Sequence, residues 1–197
     1  MRRLIVSNMM SLDGYYTGPD DNVMVLPLDS AFDDYNAERL RAAGTLLLGR
    51  RTYEGFKSFW PPVADDADAS DVHREISRLD NAIEKVVVSD TLTPEDTDPW
   101  RETTRIVRRT DAQEQIAELK RGRGEEILVF GSRTLWTDLL SHGLVDELHL
   151  MIGHVLLGAG TQILDGQRRV ALRLADVRRW DDSDNLLVQY VVQRGSS

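Results

Sequence analysis

The stretch from Glu125 to Trp136 constrains this chain more than any other. Ile127-Leu128-Val129-Phe130 is an unbroken apolar run, the pattern of a strand covered on both faces. Just past Gly131 the apolar residues become Leu135, Trp136, Leu139 and Leu140, a helical spacing that stops near Gly143. A buried strand feeding a helix through a glycine belongs to a layered α/β domain. Ser132 suits an N-cap. The amides freed from Gly131 to Thr134, with the positive helix end, face whatever lies beyond the strand's carboxyl end. A phosphate would suit that position, although a capped junction without a ligand has the same signature.

The rest of the chain repeats the theme. Leu4 to Met10 reads as a first strand, followed by a loop rich in turn formers and aromatics from Ser11 to Asp20, long enough to cover a site. Ser30-Ala31-Phe32-Asp33 has the form of a capping box, and Phe32, Tyr35, Leu40 and Ala43 give the helix behind it one apolar face. Thr45 to Leu48 is a second buried strand. It enters Gly49-Arg50-Arg51-Thr52, another glycine turn before helix formers, with arginines that are either solvated or aimed at a ligand shared with the Gly131 turn. Residues 61–69 read as an acidic loop, and Val72, Ile76 and Leu79 restore helical spacing. A third β run from Ile83 to Val88 ends at Ser89-Asp90-Thr91, groups that meet a ribose or phosphate but also make ordinary turns. Thr104 to Val107 forms a short strand, and a helix with Ile116 and Leu119 inward precedes Gly122.

This order implies a largely parallel sheet with helices on both faces. From Val145 the pattern becomes β-like, and the alternating runs 170–180 and 186–192, joined by Asp181 to Asn185, predict an antiparallel hairpin at the sheet's edge. No linker or repeat divides the 197 residues, so one domain is expected.

Composition narrows the function classes. A net charge of −9 with scattered arginines argues against broad contact with nucleic acid, while a nucleotide-sized anion needs only a local patch. The absence of cysteine removes disulfides, thiolate metal sites and catalytic thiols, and fits the cytoplasm. The apolar stretch after Met1 is too short for a signal peptide, and nothing approaches a membrane span. His73, His142, His149 and His154 lack metal spacing, so no metal is expected. Gly158-Ala159-Gly160 superficially starts a dinucleotide fingerprint, but Ile163 holds the third glycine position and no amphipathic helix follows.

Taken together, the segments resemble the dihydrofolate reductase-like superfamily, nearer to the C-terminal reductase domain of the bifunctional riboflavin-biosynthesis deaminase/reductase. The resemblance spans nearly the whole chain. It is carried by Met10-Ser11-Leu12-Asp13-Gly14, Leu48-Gly49-Arg50-Arg51-Thr52-Tyr53, Val88-Ser89, Val129-Phe130-Gly131-Ser132, Leu144 to Leu148, and Val155-Leu156-Leu157-Gly158-Ala159-Gly160. It implies a three-layer α/β/α dihydrofolate reductase-like fold, with a mostly parallel central sheet and an antiparallel C-terminal edge hairpin.

It also implies NADPH bound across the carboxyl ends of the central strands. Gly49 to Thr52 would meet the phosphates, with Arg50 or Arg51 beside the adenosine 2′-phosphate and Ser89 near it. Gly131, Ser132, Arg133 and Thr134 would hold the pyrophosphate. Guanidinium groups match a phosphate dianion better than a hydroxyl, which favours NADPH over NADH. Asp13, Leu157, Gly158 and Gly160 would border the nicotinamide and substrate. Asp33 lies near the acidic position that engages the pterin in dihydrofolate reductases, but it also fits the capping box with Ser30.

The Asp-Asp-Pro-rich segment usual after the second strand of the riboflavin-pathway domains is replaced by Arg51-Thr52-Tyr53-Glu54-Gly55, and the usual glycine pair by Gly131-Ser132. The activity most directly implied is reduction of 5-amino-6-(5-phosphoribosylamino)uracil. Dihydrofolate reduction is an alternative, and so is a non-catalytic nucleotide-binding protein of the same fold. An edge hairpin with exposed apolar residues also points to a homodimer.

Overall fold

The computed structural model of the chain describes residues 1–166 and 169–193. Ten strands and five α-helices are built from them: β1 (Leu4–Ser11), β2 (Tyr15–Thr17), α1 (Ser30–Ala42), β3 (Ala43–Gly49), α2 (Arg50–Val63), α3 (Asp71–Ala82), β4 (Glu84–Val88), β5 (Thr104–Val107), α4 (Ala112–Arg121), β6 (Glu126–Phe130), α5 (Arg133–Ser141), β7 (Glu147–Gly153), β8 (Thr161–Gln162), β9 (Leu172–Trp180) and β10 (Ser183–Val192). Eight strands form one sheet in the order β5-β4-β3-β6-β1-β7-β10-β9. The six strands from β5 to β7 are parallel neighbours, and β10 and β9 continue the sheet antiparallel. The expected architecture is therefore the observed one. An additional two-stranded ribbon, β2 with β8, was not legible in so short a pair of segments.

Because successive strand residues point to opposite faces, each apolar run feeds two cores. Leu47, Val86, Ile127 and Val129 meet Ile116 of α4 and Trp136, Leu139 and Leu140 of α5. Leu46, Leu48, Val87, Leu128 and Phe130 meet Ala37 and Leu40 of α1, Tyr53 of α2 and Ile76 of α3. A third cluster joins Met9, Met151 and Leu187 to Tyr35 of α1, with Phe32, Val155 and Leu157 packed against it. Below that cluster His149 is buried, bonding Tyr35 (2.7 Å) through Nδ1 and Glu147 (3.0 Å) through Nε2.

Three local expectations are corrected. The N-cap of α1 is Asp29, whose carboxylate accepts from the Phe32 amide at 3.2 Å, so Ser30 and Asp33 form no capping box. Residues 61–63 belong to α2 despite Pro61 and Pro62, because the helix's last turn packs on α3: Ser77 and Asn81 donate to the Trp60 and Pro61 carbonyls. The strand expected from Val145 to Leu157 ends at Gly153, and the rest is loop.

The least compensated group of the core is Asp80 on α3. It is wholly buried, and neither carboxylate oxygen has a hydrogen-bond partner among the described residues. Burial pushes its carboxyl up, against the pull of Lys85, and pushes the buried Lys85 ammonium down. Lys85 donates to the Ile83 carbonyl (2.8 Å) and lies 4.4 Å from the Trp100 ring centroid. A raised carboxyl pKa gives stability that is full below the ordinary carboxylate value and lost as pH rises through the raised one. Asp80→Asn is therefore expected to melt higher than the parent at pH 8.5 and level with it at pH 4, measured by thermal denaturation at both values.

Candidate active site at the carboxyl ends of the central strands

Parallel α/β sheets bind ligands outside the carboxyl ends of their strands. Along that edge the chain places, in spatial order, Ser89 after β4, Gly49 at the end of β3, Gly131 after β6, the Ser11–Gly14 turn after β1 and the 154–160 loop after β7. Residues 49–52 and 131–134, far apart in sequence, meet directly. The Gly49 amide donates to Ser132 Oγ at 2.9 Å, and the Ser132 amide donates to Thr52 Oγ1 at 3.0 Å. Ser132 thus occupies the N-cap of α5 without capping it through its side chain. Its backbone is left-handed (φ +52°), which turns the hydroxyl across to β3 instead.

Gly131 is also left-handed (φ +53°), and a Cβ there would come within 2.9 Å of Thr52 and 3.1 Å of the Tyr16 hydroxyl. Only glycine fits this turn, because Thr52 and Tyr16 pack into the space a β-carbon would need. Asn8 Nδ2 donates to the Gly131 carbonyl at 3.3 Å. Arg133 Nε donates to the Ile163 carbonyl at 3.2 Å, and Thr134 is exposed in the first turn of α5.

The two arginines of the Gly49 turn part company. Arg50 pairs with Glu54 (2.6 Å) and reaches the Thr91 hydroxyl beyond β4. Arg51 pairs instead with Asp21 (2.6 Å), whose other oxygen accepts from Thr161 Oγ1 at 3.3 Å. The Ser89 hydroxyl accepts from the Thr91 and Leu92 amides (3.2 and 3.0 Å), so this buried side chain shapes the turn on which Arg50 rests. Arg108 donates to the Asp90 carbonyl, and Arg109 pairs with the Asp90 carboxylate at 3.5 Å. These two arginines extend the basic cluster and were missed, although cations directly after a strand were a usable signal. Tyr16 was missed as well. Burial pushes its phenol pKa up, with Arg133 and Arg51 pulling it down.

Beyond β1 and β7 the contacts differ in kind. Asp13 is held well below the usual carboxylate range, at about 2, by the Ser11 hydroxyl (2.6 Å) and the Gly158 and Leu157 amides (2.8 and 3.1 Å). It therefore ties the 154–160 loop to β1. Leu157 is half-buried against the third core cluster, and Gly158 and Gly160 are exposed. A Cβ on Gly160 (φ +128°) would lie 2.1 Å from the Thr17 carbonyl oxygen. Asp33 bonds His73 Nε2 at 2.8 Å, and burial pushes its carboxyl up while His73 opposes the shift. Among the described residues no group of three or more His, Asp or Glu is placed to hold a metal, and no helix is long and apolar enough to cross a membrane.

The three-layer sandwich, with two bonded glycine turns at the carboxyl edge of its sheet, has a dihydrofolate reductase-like fold. The enterococcal dihydrofolate reductase solved with NADP(H) (Enterococcus faecalis) superposes with a TM-score of 0.56 at 14% identity, over 98% of this chain and 97% of that one. More narrowly, the chain belongs to the family of RibD C-terminal domains, whose model matches residues 2–188. The uncharacterized protein YyaP of Bacillus subtilis (strain 168) is 28% identical over 180 residues, 90% of this chain and 88% of that protein. The Thermotoga maritima diaminohydroxyphosphoribosylaminopyrimidine deaminase/5-amino-6-(5-phosphoribosylamino)uracil reductase has a TM-score of 0.67 at 12% identity; the match covers 98% of this chain and 57% of that one.

Removing the Ser132 hydroxyl leaves the Gly49 amide without its acceptor, which costs roughly 1–3 kcal/mol for a group held out of water. Ser132→Ala is expected to lower stability by that amount in urea denaturation, with an unchanged m-value.

Proposed function

We propose that the protein is an NADPH-dependent reductase of a small heterocyclic substrate. The observation that carries this reading is the bonded pair of turns, Gly49–Thr52 and Gly131–Thr134, with arginines fanning out on one side. A dinucleotide laid across β4, β3 and β6 would set its pyrophosphate at the Gly131 cradle and the start of α5, near Arg51, Arg133 and Tyr16. Its adenosine 2′-phosphate would meet Arg50, with Arg108 and Arg109 behind. NADPH supplies a hydride, and the fold's task is to align it and exclude water. The accompanying proton would come from Asp33, held by His73, or through ordered water.

Family membership and the Thermotoga maritima enzyme make 5-amino-6-(5-phosphoribosylamino)uracil the first compound to assay, followed by dihydrofolate. One observation favours a second reading, a non-catalytic nucleotide-binding protein: both candidate carboxylates, Asp13 and Asp33, already have protein partners. Turnover in an NADPH-oxidation screen over pyrimidines and pterins would reject it.

The cofactor assignment is tested by fluorescence titration. NADPH is expected to bind at least about tenfold tighter than NADH, the worth of one charge-assisted hydrogen bond set. Arg50→Ala is expected to abolish that preference by weakening NADPH alone. Equal, weak binding of both by the parent protein would remove the reading.

A homodimer forms part of this proposal. Among the described residues β9 pairs only with β10, and Leu172, Leu174 and Val177 are 38%, 51% and 46% exposed. Their register partners Val192, Tyr190 and Val188 belong to or pack against the α4/α5-side core, so an apolar strip continues onto a sheet face. Such a strip on an unpaired edge calls for a partner. The parent is expected to sediment as a dimer at micromolar concentration, and Leu174→Asp with Val177→Asp as a monomer.

A further inference from the structure

The charge along the carboxyl edge of the sheet is lopsided. Of the arginines described at the candidate site, Arg50, Arg108 and Arg109 lie on its β5-β4-β3-β6 half, and Arg51 and Arg133 start there and reach only the border of the other half, at Asp21 and the Ile163 carbonyl. The described segments of the β1 and β7 half include residues 4–38 and 134–166, and neither of these contains a lysine or arginine. Apart from hydroxyls such as those of Ser11, Tyr15 and Tyr16, the groups they bring to the mouth are acidic or apolar. Asp13, Asp21, Asp29 and Asp33 are among the acids. Leu12 and Leu156 are 64% and 69% exposed. They stand on neighbouring loops, since the Leu12 amide donates to the Val155 carbonyl at 2.9 Å. Asp13 fixes both loops together, so these exposed leucines sit on a rigid base.

Among the described residues, the nearby cations of β9, α3 and α2 are held elsewhere. Arg178 on β9 is paired with Glu38 at 2.7 Å and lies over the Trp180 ring. Arg179, its neighbour, has Leu186 as register partner, a residue packed against the core on the opposite face. Arg74 on α3 is bonded to Asp71 and to the carbonyls of its own loop. Lys57 on α2 donates to the Asp96 carbonyl.

From this distribution we infer that the substrate carries no phosphate: it is a neutral or cationic ring compound whose apolar side rests on Leu12 and Leu156. The inference rests on the reductase reading for the placement of cofactor and substrate, and narrows it. Beside Leu12 and Leu156, a phosphate ester drawn from water would face the Asp13 carboxylate, with no guanidinium or ammonium among the described residues there to replace its hydration. An apolar ring gains there by covering two leucines that water now touches. The same polarity accounts for the cofactor's place, because its phosphates fall on the basic half and its uncharged end reaches the acidic one.

The test is calorimetric titration of the NADPH-loaded protein with 5-amino-6-(ribosylamino)uracil, with its 5′-phosphate, and with 6-methylpterin. The phosphate-free nucleoside or the pterin is expected to bind at least tenfold tighter than the phosphate ester. Leu156→Arg, a change at an exposed loop position, is expected to shift the preference back toward the ester. Binding of the ester equal to or tighter than that of both phosphate-free compounds overturns the inference, as does failure of both to bind. Failure of NADPH to bind instead counts against the reductase reading, and the ester-to-nucleoside ratio measured on the protein alone then still decides the charge argument.

Discussion

Two hydrogen bonds across strands β3 and β6 organise the candidate site. The Gly49 amide reaches Ser132 Oγ, and the Ser132 amide reaches Thr52 Oγ1. Each bond ties the end of one strand to the beginning of the other strand's helix, so neither turn can move alone. Fixed in this way, the starts of α2 and α5 lie against each other, and the left-handed backbone at Gly131 and Ser132 lets Thr52 pack into the turn. The arrangement depends on three small residues: a glycine that admits Thr52, a serine hydroxyl that can swing across, and a threonine that answers it.

Around this knot the edge of the sheet divides into two chemistries. On the β5-β4-β3-β6 side, arginines lean on turn carbonyls and carboxylates, Arg50 on Glu54, Arg51 on Asp21 and Arg109 on Asp90. On the β1-β7 side, backbone amides and carboxylates are matched to one another, as Asp13 is to the Ser11 hydroxyl and the 157 and 158 amides. The basic side holds its turns through pairs of opposite charge, and the acidic side holds its loops through hydrogen bonds to carboxylates. A nicotinamide dinucleotide has the same asymmetry, with its anionic groups along one length and an uncharged ring at the end.

Much of this frame was legible in the residues because it follows from local rules. Apolar runs at 46–48, 86–88 and 127–130 marked inner strands, and glycine followed by helix formers marked both turns. What stayed hidden was long-range. The Ser132 side chain looked like a helix cap, and only the approach of β3, 83 residues earlier in the chain, gives it a better partner. Asp33 looked like one half of a capping box; Asp29 takes that role, and the approach of α3 supplies His73. Arg50 and Arg51 are neighbours in sequence yet turn to different partners, a choice made by where Thr91 and Asp21 happen to lie. The two-residue strand β8 carries almost no periodic signal of its own and exists through its pairing with β2.

The seat of the 154–163 loop is main chain on main chain. Gly160 presses against the Thr17 carbonyl too closely for any β-carbon, Ile163 donates its amide to the Gly14 carbonyl, and the Leu12 amide reaches Val155. Because none of these anchors uses the side chain of Leu156 or Ala159, both can be exchanged while the loop keeps its path. Diversification at this end of the domain can therefore proceed one residue at a time, altering what is recognised without disturbing the frame that recognises it.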